Sequence, residues 1–305
     1  MSLIRFAHIV NPVAVPETHE LFRAQPITFE SMRQAKVFAE GKVEVELLSV
    51  QYTEDRKSVP DYFKALPDLN QSIRDAANLP NAKKFPFISD ILKSLYENSN
   101  AEYLVYTNTD IIIVPQFYVA IAQLIAEYKY DAVSVNRRRI PFAWSKINEL
   151  PLIQSQIGKL HPGYDCFVFH RSLIPKFVFS KVCIGTGYTS VAFIHNLIAF
   201  SEKPLISDEL HLTLHLGLEV MPPLDQSIYR FTRKDYEQNI YPKLKPHLQL
   251  SKFPYSTLVF YKRVLKWILN PNFSSSIMIE LEGKNLKRKL KGLIDEVRFV
   301  VLGNT

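Results

Sequence analysis

Short apolar runs alternate with helical stripes over the first 220 residues. Ile4-Arg5-Phe6-Ala7-His8-Ile9-Val10 predicts a short strand, closed by the turn signal Asn11-Pro12. Ser31 to Glu40 predicts a helix, and Val43 to Val50 a second strand. Residues 53–84 are polar and punctuated by proline, which predicts a long loop with some helix. Phe87, Ile91, Leu92 and Leu95 fall near helical spacing, so Pro86 to Glu97 reads as a helix. Tyr103 to Tyr106 is a buried type of strand, Pro115 opens a helix through Tyr128, and Asp131 to Val135 is the next strand. Further on, Leu210, Leu212, Leu214 and Leu216 alternate with His211, Thr213 and His215, which predicts a strand with one polar face.

This βαβ alternation implies a mainly parallel sheet covered by helices, and in such sheets ligands collect outside the carboxyl ends of the strands. After residue 228 the pattern turns basic, aromatic and helical, broken at Pro242, Pro246 and Pro254. The expected organisation is therefore a sheet domain over 1–227 and a C-terminal helical extension over 228–305.

Composition narrows the function. With 47% hydrophobic residues the chain is not of the disordered class. No apolar run is long enough to span a bilayer, and the N-terminus has no cleavable-signal pattern, so a cytoplasm-facing protein is expected. The two cysteines, Cys166 and Cys183, make no framework. Only nine glycines occur, and none has the spacing of a P-loop. The single Gly-x-Gly, Gly185-Thr186-Gly187, has Ser190 where a dinucleotide-binding turn needs its third small residue. Neither HExxH nor GxSxG occurs. Charge is lopsided: residues 228–305 carry 15 Lys+Arg against 6 Asp+Glu, and the rest 22 against 24. The excess gathers around Tyr261 to Trp267 and Lys284 to Lys291, where it suits an anionic membrane surface, nucleic acid or a plain solvated helix face.

Four segments carry candidate chemistry. Asn108 and Asp110 stand two apart at a strand end, where same-side oxygens hold a divalent cation or merely make an Asx turn. His211 and His215 share the polar face of their strand, with Asp208 just upstream, as metal ligands or as ordinary hydrogen-bonding histidines. Asp165 opens an apolar strand and is either a substrate contact or base, or a plain strand-start aspartate. Arg137, Arg138 and Arg139 follow a strand directly, to grip phosphate bidentately or to form a solvated basic loop.

Taken in order, Phe85-Pro86-Phe87-Ile88-Ser89-Asp90-Ile91, Tyr106-Thr107-Asn108-Thr109-Asp110 and Gly163-Tyr164-Asp165-Cys166-Phe167-Val168-Phe169 resemble blocks of bacterial GT-A-fold glycosyltransferases. Asn108 stands where the Asp-x-Asp motif has its first aspartate. The resemblance covers residues 85–217. It implies an α/β fold, GT-A-like, and transfer of a sugar from a nucleoside-diphosphate sugar to an acceptor hydroxyl, assisted by Mn²⁺ or Mg²⁺. Asp110, Asn108 and His215 would hold the cation, and Asn11 would contact the nucleotide. Asp165 would contact the donor sugar or the acceptor. The implied partner is a glycan or lipid-linked acceptor; from its basic residues the C-terminal region is expected at an anionic membrane surface on the cytoplasmic side, and nucleic acid is not expected.

One departure matters. Relatives carry an aromatic-Asp-Asn at the start of the helix after the glycine, and this chain has Tyr188-Thr189-Ser190. Three options stay open: a retaining enzyme that needs no such carboxylate, Asp165 or Asp208 in its place, or an inactive relative that binds nucleotide or a partner.

Overall fold

The alternation closes into one nine-stranded sheet. The computed structural model describes residues 3–79, 82–141, 143–217 and 225–270. In chain order it begins β1 (Arg5–Val10), α1 (Leu21–Ala39), β2 (Glu44–Ser49), β3 (Lys64–Ala65), α2 (Ile73–Ala76), α3 (Ile88–Asn98), β4 (Tyr103–Thr107), β5 (Ile111–Ile113) and α4 (Phe117–Tyr128). It continues β6 (Ala132–Ile140), α5 (Leu150–Gln154), β7 (Lys159–His170), α6 (Gly187–Phe200), β8 (Pro204–Ser207) and β9 (Thr213–Leu216). Three further α-helices among the described residues are α7 (Gln226–Asp235), α8 (Tyr241–Leu244) and α9 (Phe260–Leu269).

Strand order is β3-β2-β1-β4-β7-β6-β9-β5, with β8 also on β6. β1 is parallel to β2 and to β4, and Val10 lies level with Ser49 while Ile9 lies level with Tyr106. Their carboxyl ends therefore share one edge. β7 is antiparallel to both β4 and β6. The strand that separates them thus brings residues near its start to the edge where the parallel strands finish. β6 holds β8 along its first half and β9 along its second, both parallel. The sheet is mixed and mostly parallel, the helix-flanked α/β architecture that the resemblance implies.

Alternation along the central strands sends side chains to two cores. Val105, Cys166 and Val168 join Phe29, Met32, Phe117 and Ile121 of α1 and α4. On the other face Tyr106 and Phe167 stack on Phe193 of α6, with centroids 5.2 and 4.1 Å apart. α1 begins ten residues before the expected Ser31 and runs through Pro26. Tertiary contacts outweigh the lost backbone bond: Ala24 and Ile27 pack with Ile112, Ile140 and Leu214, and Gln25 exchanges two hydrogen bonds with the Val13 backbone.

Compactness divides the chain into Met1–Gln249 and Leu250–Thr305. The helices from Gln226 to Leu244 belong with the sheet, held by Asp235 accepting from Ser180 Oγ and the Lys181 amide. Within the second unit α9 is described, whereas the basic run Lys284 to Lys291 lies outside the described residues. No helix among the described residues is long and apolar enough to cross a membrane.

Candidate functional site

The candidate residues converge because strand ends converge. Asn108 follows Tyr106 by two, and Asp165 precedes Phe167 by two, so both continue the face that carries α6. There Asn108 Nδ2 donates to Asp165 Oδ1 at 3.1 Å, and Asn108 Oδ1 accepts from the Tyr106 hydroxyl at 2.9 Å. Arg137 Nη1 lies 3.0 Å from Asp165 Oδ2. Asp110 reaches His215, Oδ2 to Nε2, at 3.2 Å. β5 and β9 are antiparallel with Ile111 opposite His215, which puts the residue before Ile111 beside that histidine.

The same register separates the two histidines. His211 lies four residues from His215, about 13 Å along an extended chain, beyond Ile113 and away from Asp110. β9 begins only at Thr213, two residues after His211.

The expected strand end at Val135 is corrected. β6 runs on to Ile140, because its second half pairs with β7 and β9. The arginines are strand residues and do not form a loop beyond it. Successive side chains leave a strand on opposite faces, and Arg138 donates to the Ile157 carbonyl at 3.3 Å instead of joining Arg137. The pairing slips on either side of Asn136, and such a bulge re-aims neighbouring side chains. Asn136 seals it by donating to the carbonyls of His161 and Gly163.

Electrostatics follow from two mostly buried carboxylates, Asp110 and Asp165. Burial works against a charge on Asp110, but His215 beside it and Arg137 prevail and hold its carboxyl below the usual range. For His215 burial likewise opposes charge, and Asp110 overcomes it, so the imidazole is raised. Asp165 goes the other way: burial raises its carboxyl, and Arg137 offsets this only in part. His161 is pushed down to about 3 by burial and by Arg137 and Arg139. That neutral ring lies against the Arg137 guanidinium, at 3.1 Å from Nε and 3.3 Å from Nη2.

A divalent cation suits part of this set. Asp110 Oδ1 is sealed from solvent without a hydrogen-bond partner, an unsatisfied oxygen that a cation would satisfy. The side chains of His215 and Asp110 are 17% and 25% exposed, open enough to be reached. Carboxylate oxygen with imidazole nitrogen fits Mn²⁺, and the oxygen fits Mg²⁺. No group of three such ligands occurs among the described residues, so phosphate oxygens and water would complete the shell. Asn108, expected as a ligand, already spends its side chain on Tyr106 and Asp165.

The remaining candidates sit around this centre. Asn11 directly follows β1, is buried, and donates to the Val50 carbonyl at 2.6 Å, tying the end of β1 to the end of β2 at the shared edge. The loop after it is held by Asp55, which accepts from the Ala14 amide at 2.8 Å. Asp208 is half-buried just after β8, whose Ser207 pairs with Val135 of β6. Thr189 donates to the Cys183 carbonyl at 2.8 Å, and Ser190 Oγ accepts from the Tyr164 amide at 3.3 Å. The sequence reading assigned no role to Tyr106, Asn136 or His161. Period-two spacing offered a signal for two of them, since Tyr106 precedes Asn108 by two and His161 precedes Asp165 by four.

No protein-family model and no curated protein matches the sequence significantly. The structure is similar to that of residues 1–349 of S. aureus TarS in complex with UDP-GlcNAc, at 11% identity and TM-score 0.45 over 87% of this chain and 79% of that one. It is similar to the mannosyltransferase PcManGT from Pyrobaculum calidifontis in complex with GDP-Man and Mn²⁺, at 11% identity and TM-score 0.47 over 98% and 81%. It is also similar to glucosyl-3-phosphoglycerate synthase from Mycobacterium tuberculosis with Mn²⁺, UDP-glucose and phosphoglyceric acid, at 14% identity and TM-score 0.47 over 79% and 80%.

Proposed function

We propose that this chain is a glycosyltransferase that moves a sugar from a nucleoside-diphosphate donor to an acceptor hydroxyl, with a divalent cation held by Asp110 and His215. The observation that carries this reading is the Asp110–His215 pair, with its unsatisfied Asp110 oxygen, next to the Arg137–Asp165 pair at the carboxyl edge of parallel strands. A bound cation would neutralise charge on the departing diphosphate. Arg137, steadied by His161, offers a fixed second positive charge for phosphate oxygens. Asp165, held by Asn108 and Arg137, is positioned to accept a hydrogen bond from a sugar or acceptor hydroxyl. Asn11 and the loop it anchors would face the nucleoside.

A melting-point screen tests this with UDP, GDP, their sugar conjugates, ATP and CTP, each with and without Mn²⁺. A ligand that binds only the native state raises the melting point by mass action. The expected result is a Mn²⁺-dependent rise with one nucleoside diphosphate, followed by donor hydrolysis on incubation. A cooperative melt that no nucleotide shifts would refute the reading.

A second reading has its own observation. Thr189 stands where relatives bring a carboxylate, and its hydroxyl is bound to the chain's own backbone. That favours a relative that binds the nucleotide without turning it over. Nucleotide binding with no donor hydrolysis, and none restored by Thr189→Asp, is the result expected of it.

A further inference from the structure

In the unit Leu250–Thr305 the described residues include one α-helix, α9. In α9, Trp267 faces inward: it is 6% exposed, meets Phe253 edge-on, and donates from Nε1 to the Pro254 carbonyl at 2.6 Å. Tyr261 and Leu265, one turn apart, occupy another row and are 69% and 55% exposed. Phe260, at the first turn, is 72% exposed, and Leu258 and Val259 just before it are exposed too. Lys262 and Lys266 form an exposed row beside Tyr261 and Leu265. No Asp or Glu occurs from Leu250 to Ile279, and Lys266 Nζ lies over the Tyr255 ring at 5.1 Å.

Large apolar side chains left in water beside a row of lysines have one environment that satisfies both. At the boundary of an anionic bilayer the acyl region takes the apolar row and the headgroups take the ammonium groups. A second copy of the same face would set lysines against lysines. A nucleic-acid backbone would satisfy the lysines and leave Leu265, Val259 and Phe260 in water. We infer that α9 lies in the plane of an anionic lipid surface, with Phe260, Tyr261 and Leu265 at the acyl boundary and Lys262 and Lys266 among the headgroups. This rests on α9 alone and is independent of the donor site.

Co-sedimentation of the full-length chain with phosphatidylcholine vesicles, with and without phosphatidylglycerol, tests it. The expected result is binding that needs the anionic lipid and weakens with salt. Replacing Lys262→Gln and Lys266→Gln together should lower vesicle affinity about 25-fold, at roughly one kcal/mol per lysine. Leu265→Ser with Tyr261→Ser should lower it by about tenfold or more. These side chains are exposed, so each variant should keep the wild-type circular-dichroism melt, which is measured alongside. Any of four results would overturn the inference. They are a wild-type chain that ignores anionic vesicles, variants that bind them as the wild type does, the same losses appearing in DNA binding, and light scattering that shows the apolar variant converting a dimer to monomers. Because nucleotide binding is scored separately, failure here leaves the transferase reading untouched.

Discussion

His8 takes no part in the proposed chemistry, yet it sets how the chain meets acid. Its ring lies 2.8 Å from the Tyr118 hydroxyl and 2.9 Å from Thr107 Oγ1, wholly buried, and burial lowers it from 6.5 to about 3. Between those values the unfolded chain binds a proton that the native chain refuses. The stability this group allows is present above 6.5 and is lost as pH falls toward about 3. His161 acts in the same direction. We expect the melting point to fall through that window, and to fall less steeply in His8→Gln, as read by calorimetry at a series of pH values. Asp110→Asn should remove the Mn²⁺-dependent nucleotide shift and leave the fold intact; an unchanged shift would take Asp110 out of the site. His215→Ala should weaken Mn²⁺ binding by at least about tenfold, whereas His211→Ala changes it little, as titration with the cation will show. Both members of this pair were legible in the sequence. Asp110 ends the polar break Thr107 to Asp110 between two apolar runs, and His215 sits in a strict alternation, so each is announced by its own neighbours. The partnership of Arg137 with His161 and Asp165 was not legible. It depends on the bulge at Asn136, which is made by pairing with residues about 25 positions away.

Elements bring these residues together through a small core under the site. Ile112 of β5, Leu214 and Leu216 of β9, Ile140 of β6 and Ala24 and Ile27 of α1 form one cluster. Asp110 and His215 project from the strands that this cluster glues. Leu214→Ala should therefore cost about 2–5 kcal/mol of stability, and it should also weaken the Mn²⁺-dependent shift without touching a ligand. Urea unfolding followed by cation titration measures the two effects. At this scale local pattern was a partial guide. The helix after β1 was recognisable from Ser31 onward, but Pro26 reads as a breaker, and only contacts with β5 and β9 reveal that the helix starts at Leu21. Likewise Arg137 to Arg139 read as a polar loop, because nothing local says that three successive arginines will find strand neighbours on both sides.

At the scale of the whole molecule the two units differ in charge. Residues 1–249 carry 27 Lys+Arg against 26 Asp+Glu, and residues 250–305 carry 10 against 4. A fragment ending at Gln249 should melt cooperatively and keep the Mn²⁺-dependent nucleotide shift of the full chain, while eluting from a cation exchanger at lower salt. Chromatography and the melting screen check both. The antiparallel β7, wedged between β4 and β6, has a different kind of consequence. Asn108 and Asp165 are 57 positions apart in the chain, and Asp110 and His215 are 105 apart. Closing such long loops is slow, since their entropy must be lost before any contact repays it. A chain still emerging from the ribosome holds Asn108 and Asp110 long before it can present His215, so on the proposed reading a nucleotide would find no complete cradle on a nascent or half-folded chain. Binding competence would arrive with the final strand, and the ligand would in effect inspect the finished sheet.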